Sequence, residues 1–165
     1  MNRPLSFEDE LTTLLPRLRR FAHALARDGS DADDLAQATI ERALRSKAQW
    51  QPGTSLHGWC CRIMRNLWID TARSRGRRAA YEAPEEAGEQ VGSDPRAAIE
   101  ASVDLKRIMA AMSRLPDEQR EVVALILIEG FGYREAAEML DLPIGTVSSR
   151  LVRGRNALLA MVGEQ

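Results

Sequence analysis

Cysteine is nearly missing from this chain of 165 residues: it has two, and they are neighbours, Cys60 and Cys61. Two ligands do not complete a tetrahedral zinc site, and adjacent side chains on a helix point in different directions. Both are expected to be small, mostly buried apolar residues of a reducing compartment rather than a redox centre. Histidine is equally scarce. His23 and His57 have no obvious acidic or cysteine partner in the sequence and read as ordinary helix and loop residues. Aromatics make up only 5% of the chain. No apolar run reaches the length of about 18 residues that would signal a membrane span, so no membrane insertion is expected. The stretch Met1-Asn2-Arg3-Pro4-Leu5 lacks the apolar core of a signal peptide, and a cytoplasmic protein is expected. There is no Gly-rich phosphate loop, no His-x-x-x-His and no Ser/His/Asp or Cys/His grouping with a local signature. The expectation is therefore no catalytic residue, no metal ligand, no cofactor and no enzyme.

What the chain does have is helix-forming material. Ala, Leu, Arg and Glu dominate, with 44% hydrophobic and 28% charged residues. The length allows one domain or two small ones. The net charge of −1 hides a division. Residues 1–78 carry 14 Lys+Arg against 9 Asp+Glu, residues 79–98 carry 1 against 5, and residues 99–165 carry 8 against 10. Basic charge is thus local. Phosphate neutralisation supplies most non-specific DNA affinity, so this chain alone would hold free DNA weakly and would need a larger partner to do much of the holding.

Two helical blocks, 1–78 and 95–165, flank an acidic linker over 79–94 that has neither helical nor strand periodicity. In the first block Leu11, Leu14, Leu15, Leu18, Phe21, Ala22 and Leu25 form one apolar stripe, which Pro16 is expected to kink or restart. Ser30-Asp31-Ala32-Asp33 suggests a capping box, followed by Leu35, Thr39, Ile40 and Ala43. A long helix is expected from about Ser55, with Leu56, Trp59, Cys60, Ile63 and Leu67 inward. Asp94-Pro95 has the pattern that opens a helix. In the second block Val103 to Met112 reads as one helix, and Leu115-Pro116-Asp117-Glu118 opens another that ends at Gly130.

Three motifs carry chemistry. Gly132 to Leu151 reads as two helices joined by a tight turn at Asp141-Leu142-Pro143. Ala136, Ala137 and Leu140 pack the first; Val147 and Leu151 face inward on the second, leaving Ser148, Ser149, Arg150, Val152 and Arg153 for DNA. That is a helix-turn-helix, whose second helix enters the major groove. On the long helix, Arg62, Arg65, Asn66 and Arg73 share the outer side, where Arg suits phosphate and Asn a base edge. Trp68 adds a face suited to unstacked bases, and Trp59 reads as core. Finally, Asp31, Asp33, Asp34, Gln37 and Glu41 make an acidic stripe. Capping and the helix dipole account for Asp31 and Asp33, but Gln37 and Glu41 lie beyond the first turn. Asp34, Gln37 and Glu41 are left as a docking surface for a basic partner.

In their order and spacing these motifs resemble the extracytoplasmic-function sigma factors of bacterial RNA polymerase, over nearly the whole chain. Asp31 to Thr39 is similar to that family's polymerase-docking helix, Trp59 to Asp70 to its −10-reading helix, and Leu115 to Arg120 with Gly132 to Leu151 to its −35-reading domain. The resemblance implies an all-α fold of two small domains. The first would dock on the clamp coiled coil of core RNA polymerase and capture a flipped −10 base. The second would read promoter DNA at −35 while bound to the polymerase flap, and the linker would thread toward the active-site cleft. A small anti-sigma factor would be a further partner. The Gln51 to Leu56 loop looks like members driving the alphaproteobacterial general stress response. Two departures stand out: Ser148 lies where the family often has a basic residue, and Gly154, inside the recognition helix, costs about 1 kcal/mol relative to Ala. The competing readings are a sigma-like partner-switch protein that binds an anti-sigma factor without DNA, and a stand-alone helix-turn-helix regulator. Arg62, Asn66 and the Ser/Arg face disfavour the first, and the N-terminal block lacks a ligand or dimerisation domain for the second.

Overall fold

The computed structural model describes residues 3–79 and 101–163, and among these every regular element is helical. The elements are α1 Phe7–Leu25, α2 Gly29–Arg45, α3 Leu56–Ala79, α4 Ala101–Arg114, α5 Asp117–Val123, α6 Tyr133–Leu140 and α7 Ile144–Gly163. A 3₁₀ turn, Lys47–Gln49, follows α2, and a π-helical turn, Ala124–Ile128, extends α5. Apart from Ala79, the expected linker lies outside the described residues, as does the helix start at Asp94-Pro95.

Local chemistry explains most helix ends. Ser6 caps α1 in a reciprocal box: its hydroxyl accepts from the Asp9 N–H at 3.1 Å, and its own N–H donates to the Asp9 carboxylate at 3.4 Å. Pro16 does not restart this helix, which runs unbroken through it. Leu14 and Leu18, buried on either side, hold the two turns against a common core. The cap of α2 is Asp28, whose carboxylate accepts from the Asp31 N–H at 2.8 Å, and not Ser30, which is exposed inside the first turn. The α3 helix begins where the Ser55 hydroxyl accepts from the Gly58 N–H at 3.0 Å. Asp141 ends α6 in the left-handed region at φ 53°, and the Pro143 carbonyl starts α7 by accepting from Thr146 and Val147.

The first half packs α1, α2 and α3 around Leu18, Phe21, Leu25, Leu56, Cys60 and Met64, all essentially fully buried. Phe7 closes its far end against Trp50 and, edge-on, Trp59. The second half wraps α4, α5, α6 and α7 around Met112, Leu115, Val122, Leu125 and Val147. One core cluster runs through both halves, because α1 packs on α4, on α5 and on the π turn.

Candidate nucleic-acid interface

In the helix-turn-helix, α6 buries Ala136, Ala137, Met139 and Leu140, and α7 buries Val147 and Leu151. The turn is fixed by the Leu142 N–H donating to the Ala137 carbonyl at 3.0 Å. This leaves Ser149, Val152 and Arg153 exposed and Ser148 half-buried. Arg153 is laid along the helix: Nη2 donates to the Ser149 hydroxyl at 3.3 Å. Arg150 does not join this face. It is only partly exposed and leans back on α5, with Nη2 3.7 Å from the Glu118 carboxylate. The sequence reading missed Asn156, which is exposed seven residues after Ser149 and continues the same stripe. Its helical spacing from Ser149 was the available signal.

On α3, Arg62, Asn66 and Arg73 are exposed as expected. Arg65 is not free: its side chain is 21% exposed, and Nε donates to Glu121 of α5 at 3.1 Å. Burial pushes the Glu121 carboxyl above its ordinary value, more than the hydrogen bond and charge of Arg65 pull it down. Trp68 likewise turns to the seam between the halves, with the Arg120 guanidinium 6.0 Å from its ring centroid. On α2, Asp34, Gln37 and Glu41 all stand exposed, and Gln37 donates to Glu41 at 3.4 Å. Asp31 is withdrawn from the stripe by both Nη atoms of Arg75, which hold its carboxyl below the ordinary carboxylate range.

The seam contradicts the reading of His57 as a residue without partners. Its Nε2 lies 2.8 Å from Glu129, and its ring stacks on Phe131 at 4.9 Å between centroids and 17° between planes. His23 also has an acidic neighbour, Asp33 at 3.5 Å. Burial alone would raise the Glu129 carboxyl, but the hydrogen bonds from His57 and Arg20 outweigh it and hold the group below its ordinary value. His57, Cys61 and Glu129 bring their nitrogen, sulfur and oxygen within 4.8 Å of one another. Arg20 already donates to both oxygens of that carboxylate, and burial pushes the Cys61 thiol far up, so these groups form a charge-compensated polar seam. Cys60, fully buried, has its thiol pushed up to about 12 by the same cause, and both cysteines are core as expected.

An all-α chain with an exposed helix-turn-helix face, a second Arg/Asn-bearing helix and a separate acidic stripe is built to hold DNA together with a protein. Sequence comparison agrees. The Sigma-70 region 2 family matches residues 11–78, and the Sigma-70, region 4 family matches residues 105–158. The chain is 35% identical over 157 residues to the ECF RNA polymerase sigma factor EcfG of Rhodopseudomonas palustris, covering 95% of this chain and 85% of that one. It is 39% identical over 147 residues to the ECF sigma factor SigE of Mycolicibacterium smegmatis, covering 86% and 56%. Its fold matches the sigma factor RpoE of Bartonella quintana, solved with the anti-sigma factor NepR, with a TM-score of 0.77 and 32% identity over 96% of this chain and 98% of that one. The chain belongs to the extracytoplasmic-function (ECF) sigma factors: it is a non-enzymatic subunit that binds core RNA polymerase and directs transcription initiation at specific promoters.

Proposed function

We propose that residues 1–78 form the polymerase-docking and −10-reading unit, that 79–94 link it, and that 95–165 form the −35-reading unit. The observation that carries this division is the segregation of exposed chemistry. Asp34, Gln37 and Glu41 stand on α2, Arg62, Asn66 and Arg73 on α3, and Ser149, Val152 and Arg153 on α7. The acidic set suits a basic surface on the polymerase clamp. Asn66 has the donor and acceptor needed for the edge of a flipped −10 base, with Arg62 and Arg73 on the backbone. The exposed α7 face suits the major groove at −35, with Arg153 as its cation and Ser148 at its edge. Arg150 takes a supporting role against Glu118. Arg65 joins the −10 face only once Glu121 lets it go.

The protein acts in the cytoplasm, where the polymerase is, and no described helix is long and apolar enough to cross a membrane. Likeness to EcfG and to the NepR-bound RpoE supports membership in the general stress subgroup, with a small anti-sigma factor as a regulatory partner. Val122 and Val123 belong to the core, whereas Leu127 of the π turn is half exposed and open to such a partner. Run-off transcription with core polymerase and a promoter library tests the assignment. Specific transcripts are expected, and none from any template would refute it. Recovery from unstressed native cells only as monomer or holoenzyme would refute the anti-sigma partner.

A further inference from the structure

Folding assembles a set of metal donors that no local pattern holds. His57 and Cys61 are four residues apart on α3, so they share one face of that helix. Glu129, just past the π turn, meets them from the second half of the chain. The His57 imidazole, the Cys61 Sγ and a Glu129 carboxylate oxygen bring their donor atoms within 4.8 Å of one another. Cys61 and the Glu129 side chain are fully buried, and the His57 side chain is 11% exposed. The stack on Phe131 fixes the imidazole plane, with Nε2 turned to the carboxylate at 2.8 Å. Cys60, equally buried, is not part of the cluster.

One nitrogen, one sulfur and one oxygen from two elements suit zinc, and the thiol is too soft a donor for magnesium or calcium. Zinc bonds of about 2.0–2.3 Å place tetrahedral ligand atoms about 3.3–3.6 Å apart. The nitrogen–oxygen pair has to widen from 2.8 Å, and the sulfur has to draw in by at most about 1.3 Å. Arg20 is what neutralises the carboxylate in the metal-free chain. Its hydrogen bonds are long, 3.3 and 3.4 Å, and its side chain is 43% exposed, so it can swing out to water. The exchange keeps the buried charge balanced. Without metal, one guanidinium offsets one carboxylate. With metal, Zn²⁺ offsets a carboxylate and a thiolate, while the thiol proton and the guanidinium both go to solvent. A buried seam tolerates either neutral state, but not an unpaired ion. We propose that His57, Cys61 and Glu129 form a zinc-class metal site, in which the cation displaces Arg20 and a water completes the tetrahedron.

The test uses the full chain, reduced and freed of metal, and titrates it with cobalt(II). A single equivalent should bind and give a near-ultraviolet thiolate-to-cobalt charge-transfer band, which zinc should abolish by displacement. Cys60→Ser should keep the band and Cys61→Ser should lose it. Arg20→Ala should tighten zinc binding by about tenfold, measured against a chromophoric chelator, because the competitor for Glu129 is gone. His57→Gln should weaken it by at least the roughly 10–100-fold that loss of an outer partner costs. No band in the wild type, a band that survives in Cys61→Ser, or zinc affinity that does not rise in Arg20→Ala would overturn the site. If circular dichroism shows Cys61→Ser unfolded, His57→Gln and Arg20→Ala decide, and unchanged zinc affinity in either overturns the proposal.

Discussion

Gly154 lies inside α7 where a methyl group would lie 2.8 Å from Val123 Cγ2 and 3.2 Å from Gln119 Cβ. Helix propensity alone favours alanine there by about 1 kcal/mol, but overpacking costs about 1–3 kcal/mol. Crowding wins, because α5 and α7 approach through this bare position. Gly154→Ala should therefore lower stability in urea unfolding, and an increase would show that Val123 yields freely. Arg153 poses a different question at the same scale. If it reads a guanine, Arg153→Ala should weaken promoter binding by about 1–3 kcal/mol and relax one base pair. If it holds a phosphate, the loss should be uniform across sequences, with a shallower salt dependence. Holoenzyme titrations on promoter variants at two salt concentrations separate the two.

At the scale of the element, α2 and α3 each present a face that the rest of the fold leaves open. Reversing Asp34 and Glu41 to Lys should weaken association with core polymerase while leaving helix content intact, since both side chains are exposed and neither supports the core. A folded double variant that pulls down core polymerase as wild type does would contradict the docking role. Asn66→Ala should impair promoter opening more than polymerase binding, read as lost permanganate reactivity at −10. The π turn after α5 has no counterpart in the sequence reading. Its extra residue rotates the downstream residues by about 100° relative to a plain α-helix. That rotation accompanies Glu129 buried in the seam and Leu127 left half exposed. Periodicity shows that this segment is helical, but not that its register shifts.

For the whole molecule, the seam makes stability depend on pH. Arg20, His57 and Cys61 all face Glu129, whose folded-state carboxyl is held below the ordinary value of 4.5. Its contribution is present above that value and is lost as pH falls through the lowered one. Glu121 has the opposite sign: its carboxyl is raised, so its contribution is present below 4.5 and lost as pH rises through the raised value. Glu129→Gln should cost about 1–3 kcal/mol at neutral pH by weakening a buried charge-assisted cluster. It should also flatten the loss of stability on acidification past 4.5, monitored by urea unfolding across pH. An unchanged acid limb would place that loss elsewhere, Asp31 with Arg75 being the next candidate.

The sequence by itself determined the all-helical class, the helix-turn-helix with its buried Val147 and Leu151, the exposed acidic stripe and the family. These depend on contacts three or four residues apart, which helical periodicity makes visible. It erred where a local cue had a close competitor, as at Ser30 beside Asp28. Only the tertiary structure decided that Arg65 is paired with Glu121 instead of standing free on the outer side of α3, that His57 has an acid beside it, and that Arg120 is buried. The pairs responsible join residues 56 positions apart for Arg65 with Glu121, 72 for His57 with Glu129 and 95 for Arg120 with Leu25. Their meeting is set by how α1 and α3 pack on α5, and no local pattern of one chain encodes that distance.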